Sequence, residues 1–236
     1  MQRTTIPYSI VVPYLGIDLR NIKDGLYYII PYEQDAGTFM PDWHLLAEPL
    51  ARGEFYIGYY SALQIHNLIT QPSLKEQIVV NRQIKPSVLN IKGVDFQFVF
   101  HNSNHFFGEK KIWIDSFHKV MCSDLEKTII DSLFKPDYAE GIVEVAKAIY
   151  MAKDKIKFQQ LFDYAVRFKS QAVIKRLGYL LELLEIQTDI TARLQELRTK
   201  AVVPMDTELP NAGTISTRWS ILQNIDSQTI KIAITT

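Results

Sequence analysis

KVMCSDLEKTIIDSLF, residues 119–134, is where the chain changes character. Val120 to Cys122 is a short apolar strand that runs into Ser123. A serine there is a good N-cap, because its hydroxyl accepts from the free N–H groups of a new helix. Glu126 follows three residues on, where its carboxylate can reach back to the cap. This S-x-x-E spacing is a capping box. The helix it opens puts Leu125, Ile129, Ile130 and Leu133 on a wide apolar face. Before this stretch the chain reads as mixed strand and helix. After it, nearly everything reads as helix.

Working back towards the N-terminus, residues 1–24 hold an apolar run broken at Pro13, then a turn at Asp24-Gly25. LYYII, Leu26 to Ile30, is a strand of aromatic and β-branched residues. Pro41 to Ala51 reads as a helix that ends near Pro49. Phe55 to Tyr60 reads as a strand leading into a helix at Ser61–Leu68. Short strands follow at Gln77–Val80, Val88–Ile91, Val94–His101, Lys111–Ile114 and Lys119–Met121. Short polar turns between them suggest a meander.

Forward of the quoted stretch the helical period gives Ser123–Phe134, Tyr138–Ala152, Lys157–Phe168, Gln171–Leu184 and Thr188–Arg198. Their short connections predict antiparallel packing. The tail beyond Ala201 holds two short strands, Trp219–Leu222 and Thr229–Ile234, expected to close on the earlier sheet. The fold class is therefore α+β: an N-terminal mixed sheet with short helices, then a helical bundle with closing strands. The divisions fall at residues 1–31, 32–122 and 123–236.

Composition narrows the function classes. The 236 residues are 47% apolar and 22% charged, with 26 basic and 26 acidic side chains and hence no net charge. Such a balance gives no global attraction for nucleic acid or membrane, although a local basic patch is compatible with it. Cys122 is the single cysteine, so no internal disulfide forms and a cytoplasmic protein is favoured. No apolar run approaches the roughly 18 residues of a membrane span, and no signal peptide is expected.

Two enzyme-like patterns stand out. Asp95, followed by Glu109 and Lys111, has the residue types of a Mg²⁺-dependent nuclease. Two carboxylates would hold the metal and a lysine would stabilise charge at the phosphate. Glu109 and Lys111 share one face of a strand. The alternative is a set of solvated turns. His101 and His105 have a spacing that zinc sites use, but no cysteine pair or neighbouring carboxylate supports them, and core or surface histidines are the simpler reading. Nucleophile elbows, phosphate loops and dinucleotide fingerprints are absent. The aromatics, Tyr56, Tyr59, Phe96 and Phe98 among them, read as core packing, with a base-stacking platform as the weaker alternative. Lys153, Lys155 and Lys157, together with Lys175 and Arg176, form basic clusters. These are either solvated faces or sequence-independent contacts to phosphates.

Four segments in order carry a family resemblance. They are Gly58-Tyr-Tyr-Ser-Ala-Leu63 with His66-Asn-Leu68; Ser123 to Asp131 with Lys135 to Gly141; Ala172 to Leu184; and Pro204-Met-Asp206 with Gly213 to Trp219. Together they resemble the C-terminal domain of AbiEi-type antitoxins over roughly residues 25–225. The resemblance implies a non-enzymatic antitoxin of a bacterial type IV, abortive-infection toxin–antitoxin system that also represses its own operon. No metal or cofactor is implied. The implied partners are operator DNA and a nucleotidyltransferase-like toxin countered without a stable complex.

DNA binding in that family belongs to an N-terminal winged helix-turn-helix domain. Here Asn21 to Ile30 resembles its wing, while Met1–Leu19 is too short for its helices. Arg20 and Lys23 are then the expected phosphate contacts, with Lys175 and Arg176 as further candidates. A protein-interaction module without DNA binding is the third reading.

Overall fold

The computed structural model describes residues 18–23, 26–30, 33, 35, 42–69 and 71–235. Strands β1 (Asp18–Lys23) and β2 (Leu26–Ile30) form an antiparallel hairpin, with Asp18 opposite Ile30 and Arg20 opposite Tyr28. Expectations for residues 1–17 lie outside the described residues. A 3-10 turn at Trp43–Leu46 leads into the short helix α1 (Ala47–Ala51). Pro49 falls in the first turn of α1, where an absent N–H costs no helical bond. Strand β3 (Phe55–Ile57) and helix α2 (Tyr59–Ile65) follow.

The strands predicted next all form, within a residue or two: β4 (Lys75–Val80), β5 (Val88–Ile91), β6 (Val94–Phe100), β7 (Glu109–Trp113) and β8 (Lys119–Ser123). They are not a meander. Their order across the sheet is β5-β6-β4-β3-β8-β7. The hairpins β5–β6 and β7–β8 survive, but β6 runs parallel to β4, and β3 lies between β4 and β8. Only three residues long, β3 is nevertheless central, because Tyr56 and Ile57 are fully buried and each needs a neighbour on its own side.

Alternation along β4 gives the two faces different jobs. Ile78 and Val80 join Leu46, Ala47, Ala51, Phe96 and Phe98 in one apolar cluster. On that same side the buried Glu76 holds His44 Nδ1 at 2.9 Å. Val79 packs with Tyr56, Tyr59 and Val99 in another cluster. On this second side Gln77 Oε1 accepts from the Ser61 N–H at 3.1 Å.

From β8 onwards the chain is helical: α3 (Leu125–Phe134), α4 (Ile142–Ala152), α5 (Phe158–Phe168), α6 (Gln171–Leu183) and α7 (Ile190–Leu197). A 3-10 turn, Pro136–Ala139, replaces the predicted start of α4. The largest core cluster joins these helices through Ile129, Leu133, Ile149, Phe168, Leu177 and Leu180. The architecture is α+β, a mixed sheet followed by a helical half. Among the described residues no helix is long and apolar enough to cross a membrane.

The tail corrects two expectations. Its strands β9 (Val203–Pro204), β10 (Thr214–Ser216) and β11 (Ile221–Gln223) form a sheet of their own and do not join the earlier one. Thr229–Ile234, expected as a strand, lies mostly in helix α8 (Ser227–Ala233). In TIKIAI both periodicities are present. The Asp226 carboxylate accepts from Gln228 N at 3.0 Å and starts a helix. Ile230 is then buried against the helical core with Ile234 beside it, four residues on, while Ile232 is left 56% exposed. Tertiary burial of the i, i+4 pair overrides β-branched propensity.

Two devices bind tail to bundle. Trp219 lies on Gly178 so closely that a Cβ at position 178 would come within 2.1 Å of its ring. Its indole N–H donates to Glu182 at 2.7 Å. Arg176, only 1% exposed, donates to the carbonyls of Leu133 and Phe134, the end of α3, at 2.7 and 3.2 Å, and twice to Pro204 O at 2.9 and 3.1 Å. One guanidinium thus satisfies the free carbonyls of one helix end and anchors the tail. Replacing Arg176 by alanine is expected to cost about 3–5 kcal/mol, since several charge-assisted bonds go and buried carbonyls are left without partners. Arg176→Lys should recover only part of this, because an ammonium cannot reproduce the planar fork. Urea denaturation of the three proteins measures both.

Candidate functional site

The stretch at 119–134 does not fold with the cap its sequence suggests. Ser123 completes β8, and its hydroxyl pairs with Thr128 Oγ1 at 2.7 Å. Asp124 is the N-cap, accepting from Lys127 N at 2.8 Å. Its other oxygen takes Gln160 Nε2 and the Tyr164 hydroxyl, each at 3.0 Å, so the same carboxylate also ties down α5. With the cap moved by one residue, Glu126 is in the second helical position and cannot close the box. It accepts instead from Lys157 N, at the start of α5, at 2.8 Å.

The shift also turns Lys127 inwards. Lys127 and Asp131 are one helical turn apart, both fully buried, and paired through Nζ and Oδ1. Lys127 Nζ also donates to the Tyr56 hydroxyl at 2.8 Å, and Tyr56 donates to Asp131 Oδ2 at 3.0 Å. The single Tyr56 proton is thereby used. His101 Nδ1, 3.1 Å from the same oxygen, must be the donor, and His101 Nε2 must accept from the Tyr59 hydroxyl at 2.7 Å. One tautomer satisfies every group. Rings of Tyr56, Phe107 and Phe168 lie 5.0–5.3 Å from the ammonium and complete its enclosure. Tyr59 is held at φ 52°, a backbone state costly for an aromatic residue, and its hydroxyl meets His101 there.

The electrostatics follow from exclusion of water. Burial lowers the Lys127 pKa and raises that of Asp131, and the attraction between them opposes both shifts. Burial, with the Asp131 charge added, pushes the Tyr56 and Tyr59 phenols well above their ordinary range, so both stay protonated. Burial and the Lys127 charge take His101 down to about 3, so its imidazole is neutral. The cluster is built to hold one arrangement of protons.

The nuclease triad does not assemble. Asp95 is on β6 and Glu109 and Lys111 on β7, four strand spacings apart, hence roughly 19 Å. Asp95 takes Asn90 Nδ2 at 2.7 Å instead. His101 and His105 come together, with ring centroids 5.9 Å apart, but His105 stacks on Phe168 at 3.9 Å and donates to its carbonyl at 3.0 Å. Among the described residues no group of three His, Cys, Asp or Glu side chains could hold a metal. Cys122 is fully buried, and burial pushes its thiol well up, away from the reactive thiolate.

Of the expected phosphate contacts, Lys175 and Arg176 are corrected. Both are buried, Lys175 bonded to Thr199 Oγ1 at 3.2 Å and to Ala201 O, and Arg176 to the carbonyls described above. They clasp the tail and present no cation to a phosphate. Arg20 and Lys23 lie on β1, and their side chains are outside the described structure. Sequence reasoning passed over Lys127. Its signal was a lysine four residues before an aspartate in α3, a pattern normally found on a solvated face.

Removing one partner of a buried pair strands the other. Asp131→Ala is therefore expected to cost about 3–5 kcal/mol. Adding Lys127→Met should cost less than the two single changes summed, with a coupling of about 1 kcal/mol or more in a double-mutant cycle read by denaturant melts. His101 has a second consequence. It is unprotonated when folded down to about 3, whereas the unfolded chain protonates it near 6.5. Its contribution is present above that pH and is lost as pH falls, at up to about 1.4 kcal/mol per pH unit. His66 and His105, also lowered chiefly by burial, act in the same sense, and His44, raised by its Glu76 partner against burial, acts in the opposite one. Stability measured from about pH 7 down to about 4.5 should fall less steeply in His101→Gln than in the parent.

No family model and no curated protein matches the chain. Among solved structures it is similar to the RV2827C protein from Mycobacterium tuberculosis, with a TM-score of 0.66 over 99% of this chain and 84% of that one. At 15% identity this likeness is one of fold.

Proposed function

We propose that this chain is the antitoxin, and the autorepressor, of a bacterial type IV toxin–antitoxin system, acting without catalysis against a nucleotidyltransferase-like toxin. The observation that carries the reading is how the four resembling segments meet. His66 Nε2 donates to Ser123 O at 2.9 Å, joining the first segment to the second. Arg176 on the third segment holds Leu133 and Phe134 at the end of α3 and Pro204 on the fourth. Asp206 accepts from Ile142 N at 2.9 Å, and Trp219 seals against Gly178. Segments distant in sequence therefore form one interlocked unit. The separation of Asp95 from Glu109 and Lys111 counts against the nuclease alternative. The β1–β2 hairpin, with Arg20 and Lys23 on its first strand, is compatible in form with a wing.

Growth rescue tests the antitoxin part. Cells expressing the nucleotidyltransferase-like protein encoded beside this gene should recover colony formation when the chain is co-expressed, and persistent arrest would sink the reading. For the repressor part, a gel shift on the inverted repeats upstream of the operon should be sequence-selective and salt-sensitive. Arg20→Ala with Lys23→Ala should weaken it and flatten the salt slope by roughly 0.9 for each phosphate no longer neutralised.

A further inference from the structure

On the far side of the sheet from the Lys127 cluster, α1 and the β4–β5 connection bound a cleft of about 440 Å³. Its walls carry three cations, Arg52, Arg82 and Lys85, all exposed. Among the described residues no carboxylate lines it, and none of the three cations is in an ion pair. Its apolar part comes from Leu50, Leu89 and Phe98, the last of these only 9% exposed.

The basic side is pre-positioned. Arg82 Nη2 donates to the carbonyls of Ala51 and Arg52 at 2.9 and 2.8 Å, which fixes the guanidinium at the end of α1 and offsets the negative end of that turn. Arg52 itself is the C-cap, in the left-handed conformation at φ 49°. Among the described residues no acidic side chain of the cleft balances these three cations. An anion of more than one charge would. The apolar part asks for something a bare inorganic anion lacks, a flat or apolar body to cover Leu89 and Phe98. The volume is within the range of small-molecule sites.

We infer that this cleft binds a nucleoside phosphate, with the phosphate on Arg52, Arg82 and Lys85 and the base over Leu89 and Phe98. The chemistry is shared by a free nucleotide and by one unit of a single strand, for which cation-lined grooves with an aromatic floor are a common solution. The inference is independent of the antitoxin reading, because it rests on the cleft alone.

The test is fluorescence anisotropy of the full chain with a short labelled oligoadenylate, with unlabelled ATP and an acidic peptide of matching charge as competitors. Binding of the oligomer, competed by ATP or by unlabelled oligomer and not by the peptide, is the expected result. Competition by ATP identifies the free nucleotide as sufficient, whereas competition by oligomer alone identifies the strand. Arg52→Glu with Lys85→Glu should weaken binding by about tenfold or more and reduce the salt slope by up to roughly 0.7, the share of one phosphate on a single strand. Lys200→Glu, an exposed change of equal sign in the tail, should leave both unchanged. Thermal melts of both variants confirm folding, and Arg52→Gln with Lys85→Gln replaces the reversal if that protein does not fold. Equal competition by the peptide, no binding of either nucleotide probe at low salt, or unchanged binding in the folded double variant would overturn the inference.

Discussion

A lysine ammonium and an aspartate carboxylate share a space from which water is excluded, and much of the molecule is arranged to keep them there. Lys127 and Asp131 come from one helix, but their remaining hydrogen-bonding capacity is met by Tyr56 from the central strand and, through it, by His101 and Tyr59. Sheet and helical half are thus joined by a network in which each proton has one place to go. Two charges withdrawn from water are no gain by themselves, since desolvation cancels much of their attraction. What the pair provides is a penalty for every other arrangement. A helix α3 rotated or shifted by one residue would leave a buried charge alone.

The same logic extends outwards from that seam. Asp124 starts α3 and also holds α5 through Gln160 and Tyr164, while Glu126 starts α5 from α3. Arg176 ends α3 and holds the tail. Polar side chains are here used as connectors between elements, each satisfying backbone groups that a helix end leaves free. Apolar packing supplies the bulk of the burial, and these bonds select which elements lie side by side. The helical half therefore depends on α3 from both ends.

The two surfaces proposed for binding are built from elements other than those of this framework. The β1–β2 hairpin is a sheet of its own, and the basic cleft is on the α1 side of the six-stranded sheet. The cleft draws none of its cations from the buried network. Arg52, Arg82 and Lys85 are exposed and, among the described residues, in no ion pair, although Arg82 also donates to two carbonyls, whereas Lys127, Lys175 and Arg176 are buried on internal partners. That division separates cations that stabilise the fold from cations that can meet a ligand.

Most elements were legible in the sequence, because local periodicity is a property of neighbouring residues. The strands Val88–Ile91 and Val94–Phe100 and the helices ending at Phe134, Ala152 and Phe168 follow from apolar spacing alone. The change from strands to helices at residue 123 does too. Sheet order, the cap residue and the fate of each charge were not legible. The three-residue β3 carries too short a pattern to announce that it is central. Ser123 and Asp124 are both good caps, and only pairing of Ser123 with the sheet decided between them. Lys175 and Arg176 read as a solvated basic pair until the tail folded over them. A charged side chain looks the same in sequence whether its partner is water or a carbonyl far along the chain. The partner is chosen by how elements pack, so the sequence by itself determined which elements form, and the tertiary structure alone decided which charges are buried, paired or left free.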